Sequence, residues 1–79
     1  MIDNERLYSV VSSILGVPID DVNDTSSPDN FENWGSLTHI NLVVAIEAEF
    51  NVSFTPEDTM DMLSVKLIRM VLEDKVNEK

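Results

Sequence analysis

The stretch FENWGSLTHINLVVAIEAEFNVSFTPED, Phe31 to Asp58, decides how this chain folds. Its centre, about Leu37 to Phe50, has helical spacing. At about 100° per residue, Leu42, Val43, Ile46 and Phe50 share one arc, and Leu37, Ile40 and Val44 fall nearly opposite, beside Asn41 and Ala48. A helix apolar on two faces cannot bury both in so small a domain. The second stripe therefore reads as a docking surface, with a central helix that has wet edges as the structural alternative. A Trp34-Gly35-Ser36 turn feeds this helix, and Ser36 stands at the seam, where a hydroxyl can cap free backbone N–H groups. Beyond the exit loop, Thr55-Pro56-Glu57-Asp58 is a helix start: a cap, a proline at the first position and acids in the first turn.

Outward from this segment, Asp3 or Asn4 caps a first helix ending at Leu15. Leu7, Val10, Val11 and Ile14 face inward, and Glu5, Ser9, Ser12 and Ser13 face away. Gly16 supplies a left-handed stop and Pro18 prevents continuation. Residues 17–35 are turn-rich, a long connection for a small domain, of a kind usually functional or disordered. Ile19 and Val22 are expected to anchor a brief helical turn, and Phe31 and Trp34 to pin the far end, which favours an ordered loop. After a short third helix to about Asp61, Ser64 caps a last helix with Val65, Ile68, Leu72 and Val76 on one face; residues 77–79 are expected to fray. There is no strand signal and no internal repeat. The expectation is an all-α fold, a small three- to four-helix bundle with a long first loop, forming one domain over residues 1–79.

Composition narrows the functions. A domain of 79 residues buries roughly 60% of its unfolded surface and has little room for an enclosed active site, so no enzyme is expected. With 5 Lys+Arg against 15 Asp+Glu, the net charge of −10 repels nucleic acid and attracts basic surfaces of partner proteins, solubility being the plainer reading. The absence of cysteine fits a cytoplasmic address, no run is long enough for membrane insertion, and the acidic start reads as a helix rather than a signal peptide. A monomer is expected.

Three side-chain groupings invite chemistry. Ser36, besides capping, suits a phosphodiester attachment point, because a phosphate there meets the positive end of the helix dipole. His39 is near enough for a Ser–His pair, but Leu42 and Val43 offer no orienting acid, so a histidine packed beside the loop is the favoured reading. Asp21, Asn23, Thr25, Asp29 and Glu32 have EF-hand ligand spacing. Ser26 replaces the required glycine, however, and Pro28 and Trp34-Gly35 break the flanks, so no metal site is expected. One histidine and no cysteine also argue against zinc.

Trp34-Gly35-Ser36-Leu37, followed by INLVVAIEAEF and NVSFTPED, resembles the acyl carrier proteins, especially stand-alone ones with tryptophan shortly before the modified serine. The resemblance spans nearly the whole chain. Its most specific parts are Ser36-Leu37, the Leu42–Phe50 phrase and the Phe-Thr-Pro-Glu-Asp after it. It implies that Ser36 carries 4′-phosphopantetheine, added from coenzyme A by a phosphopantetheinyl transferase. The arm's thiol holds acyl groups as thioesters for acyl-loading and acyl-transferring enzymes of fatty acid, polyketide or related biosynthesis. Leu37, Ile40 and Val44 would dock those partners, with Glu47, Glu57 and Asp58 as acidic contacts. Met60, Met62 and Met70 read as core gap-fillers, or as adaptable lining for a sheltered acyl chain. The chain departs from the family at Gly35, where aspartate usually precedes the serine and serves the transferase step, and at Thr38 and Asn41, where acids are usual. These departures point to partners other than those of ordinary fatty-acid synthesis. The alternative is an unmodified acidic adaptor that keeps the carrier shape, with a calcium-responsive module behind it.

Overall fold

The computed structural model describes residues 2–77, so the fraying expected at 78 and 79 lies outside the described residues. The elements are α1 (Asn4–Leu15), a 3-10 turn (Ile19–Asp21), α2 (Ser36–Phe50), α3 (Pro56–Asp61) and α4 (Val65–Asn77). Asp3 caps α1 by accepting from the Glu5 N–H at 3.0 Å. Gly16 ends it at φ 71°, and the N–H groups of Gly16 and Val17 both bond the Ser12 carbonyl. α2 stops the same way without glycine: Asn51 adopts φ 56°, and the Val52 N–H reaches the Glu47 carbonyl at 3.1 Å. Asparagine is one of the few side chains that enter this region readily. At α3, Thr55 and Asp58 form a reciprocal capping box with bonds of 2.9 and 3.1 Å. The Ser64 hydroxyl caps α4 by accepting from the Leu67 N–H at 3.2 Å, and Asn77 is still helical.

The core joins Leu7, Val11 and Leu15 of α1, Leu42, Val43 and Ile46 of α2, and Val65, Ile68 and Leu72 of α4. Val10, Ile14, Phe50 and Val76 pack half-buried at its edge. Met62 fills the interior as a gap-filler, but Met60 and Met70 do not, since both lie more than half exposed. Ile19 is also exposed, so Val22 alone anchors the 3-10 turn to the core.

The long connection is ordered, and mostly by polar bonds. The carbonyls of Ser26 and Asp24 accept from the N–H groups of Val65 and Lys66 at 2.9 and 3.0 Å, so the loop occupies donors that the first turn of α4 leaves without helical partners. Asp24 takes a forked contact from the Arg69 guanidinium, one branch at 2.8 Å, and a bond from the Tyr8 hydroxyl at 2.5 Å. Arg69 and then Tyr8, as hydrogen-bond donors, hold the Asp24 carboxyl down at about 2. Ser26 is buried, its hydroxyl accepting from the Asn23 N–H at 3.0 Å. Asn23 in turn accepts from the Thr25 N–H at 2.9 Å, so oxygens at EF-hand spacing close the loop on itself. Trp34 is buried and Phe31 half-buried, as aromatic anchors should be. Among the described residues no helix is long and apolar enough to cross a membrane.

Candidate functional site

Ser36 is not the cap of α2. Gly35 occupies that position in extended backbone (φ −95°, ψ −168°), with no side chain to bond the helix, and Ser36 is the first helical residue. The Ser36 side chain is exposed, and its hydroxyl makes no hydrogen bond to another described residue. The first backbone bond of the helix runs from the His39 N–H to the Gly35 carbonyl at 2.9 Å, so the N–H groups of Ser36, Leu37 and Thr38 precede it. No acid lies in this first turn. An unengaged hydroxyl therefore sits against unpaired donors at the positive end of a four-turn helix, surroundings suited to a phosphate diester. A Cβ at Gly35 would meet nothing within 4 Å, so the turn does not need glycine for want of space at that atom.

His39 lies next to this turn but does not face the serine as a base. Its Nδ1 accepts from the Trp34 indole N–H at 3.0 Å, and its Nε2 lies 3.1 Å from the Thr59 carbonyl oxygen. Both ring nitrogens are thus engaged, and the histidine is packed beside the loop, its ring within 25° of the Trp34 plane and the centroids 6.2 Å apart.

Leu37, Ile40 and Val44 form the predicted outward stripe of α2, each more than half exposed. Met60 and Leu63, which the sequence reading did not place on this surface, are exposed beside them. Together with Ser36, His39 and Ile40 they line an open groove of about 490 Å³ between the start of α2 and α3. The six-residue α3 is too short for its periodicity to assign Met60 a face, and Leu63 lies beyond its end. The three acids proposed for docking are placed differently from one another. Glu47 is half-buried and accepts from the Phe54 N–H at 2.8 Å. Asp58 belongs to the α3 capping box and also pairs with Lys75 at 2.9 Å; the Thr55 N–H, then Lys75, hold its carboxyl below the usual carboxylate range. Glu57 is the exposed member.

The family model for the phosphopantetheine attachment site matches residues 5–68 of this chain. The chain belongs to the acyl carrier protein family. An acyl carrier protein of Cyanidium caldarium is 32% identical over 75 residues, covering 95% of this chain and 87% of that one. The holo acyl carrier protein of Geobacter metallireducens, solved in solution, superposes with a TM-score of 0.82 over 91% of this chain and 83% of that one, at 18% identity. That likeness confirms the all-helical bundle. As a carrier, the chain holds acyl groups on a phosphopantetheine arm and performs no catalysis of its own. The exposed hydroxyl, the unpaired N–H groups and the adjoining apolar groove all fit such an arm.

Proposed function

We propose that Ser36 is the attachment residue and that residues 1–79 work as one monomeric, cytoplasmic carrier domain. The observation that carries this reading is the exposed, unengaged Ser36 hydroxyl at the uncapped start of α2, within the residues that match the attachment-site family. In the transfer step Ser36 Oγ would give up its proton and bond the phosphorus that bears the pantetheine, as the pyrophosphate link of coenzyme A breaks and its nucleotide half leaves. The arm, once attached, supplies the thiol that a chain without cysteine lacks. The N–H groups of Ser36, Leu37 and Thr38 face the phosphodiester charge.

Leu37, Ile40 and Val44 are the apolar contact for the phosphopantetheinyl transferase and for acyl-loading and acyl-transferring enzymes of fatty acid, polyketide or related biosynthesis. Glu57 supplies a direct acidic contact. Glu47 and Asp58, engaged inside the fold, act mainly through the field that steers basic partners. The test is intact mass after incubation with coenzyme A and a broad-specificity transferase. A gain of one arm in the wild type, absent from Ser36→Ala, is the expected result. No gain in the folded wild type would leave only an unmodified docking module.

A further inference from the structure

Trp34 and His39 bracket the serine in sequence, and their side chains fasten the turn that presents it. The indole N–H can only donate, so His39 Nδ1 must be a bare acceptor; the Thr59 carbonyl can only accept, so Nε2 must carry the proton. One form of the ring satisfies both partners: neutral, protonated at Nε2. Trp34 is buried and His39 half-buried, so both bonds are partly shielded from competing water. The two bonds run from the connection through α2 to Thr59 of α3.

In most helices a side chain at the cap position fixes the entering turn, and here Gly35 offers none. We propose that His39 is a positioning residue for Ser36: by joining the Trp34 indole to the α3 carbonyl, it does what the missing cap would do and holds the hydroxyl in the orientation in which it receives the arm. This inference rests on Ser36 being the attachment point. Loss of the bridge should lower turnover rather than affinity, because the stripe of Leu37, Ile40 and Val44 takes no part in it.

The experiment compares arm transfer from coenzyme A to the purified wild type, three single variants and one double variant, at a temperature where circular dichroism shows each one folded. His39→Phe keeps a ring and removes both bonds. His39→Asn places an amide oxygen near the Nδ1 position and restores the Trp34 link alone, and Trp34→Phe removes the donor together with part of the buried ring. We expect kcat to fall about three- to tenfold in His39→Phe, with KM changed by less than about twofold. His39→Asn should recover part of the loss, and the Trp34→Phe/His39→Phe double variant should be no slower than His39→Phe. The Trp34 indole N–H resonance should move and exchange faster with solvent in His39→Phe while the fold persists. A folded His39→Phe with wild-type kcat, or an unmoved indole resonance, overturns this inference alone. A wild type that accepts no arm overturns the Ser36 reading and this inference with it.

Discussion

The two ends of the long connection between α1 and α2 are built in opposite ways. Around Asp24 the backbone caps α4, and one carboxylate gathers Arg69 from α4 and Tyr8 from α1. Around Ser36 the helix start has a glycine for a cap, three backbone donors ahead of its first bond and a hydroxyl with no partner among the described residues. The charged and helix-capping bonds that order the loop lie at the end away from the serine, and the proposed attachment atom stays unengaged. At the Ser36 end the Asn33 amide donates to the Leu15 carbonyl at 3.1 Å and the Trp34–His39–Thr59 bridge joins the turn to α3, both without touching the hydroxyl.

This contrast predicts unequal costs when each end is cut. Asp24→Ala should lose about 1–2 kcal/mol of stability, since charge-assisted bonds to Arg69 and Tyr8 disappear and the carboxylate is partly solvent-screened. Ser36→Ala should stay within about 0.5 kcal/mol of wild type. Urea denaturation of both variants checks this, and equal losses would mean that the serine is as structural as the aspartate.

A smaller effect should appear with pH. The Asp24 carboxyl is lowered to about 2 by its hydrogen bonds, so its contribution is fully present above the ordinary carboxylate value and is lost as pH falls through about 2. Asp24→Asn should therefore lose less stability than the wild type between pH 4 and pH 2, measured by urea midpoints. An identical slope would show that Asp24 is no better bonded in the folded chain than in the unfolded one.

The smallest effect concerns the open cap. Gly35→Asp has open space at its Cβ and brings an acceptor to the cap position, so it should stabilise the chain by about 0.3–1 kcal/mol, raising Tm by a few degrees. It also restores the residue that usually precedes the serine in this family, and arm transfer should quicken. A lower Tm would show that the turn needs glycine for a reason other than space.

Much of the fold could be read from the sequence because its signals are local. Gly16 and Pro18 end α1, Thr55 to Asp58 open α3, Ser64 opens α4, and the two apolar arcs of α2 separate into a buried and an exposed stripe. The Asp24–Arg69 pair was invisible because 45 residues separate its members and no periodicity links them. Glu47 read as a surface acid for a similar reason: its bond to the Phe54 N–H depends on how the chain turns at Asn51. The sequence pattern allows Ser36 to be the cap, and the structure makes it the next residue in. Only the backbone angles of Gly35 place that boundary, and the shift removes the competing structural duty for the hydroxyl.

The most direct test of the carrier reading is to locate the arm on the chain by peptide fragmentation of the transferase-treated, folded protein. A single phosphopantetheine on Ser36 is the predicted result. An arm on any other serine, such as Ser53 or Ser64, or none at all, would contradict it.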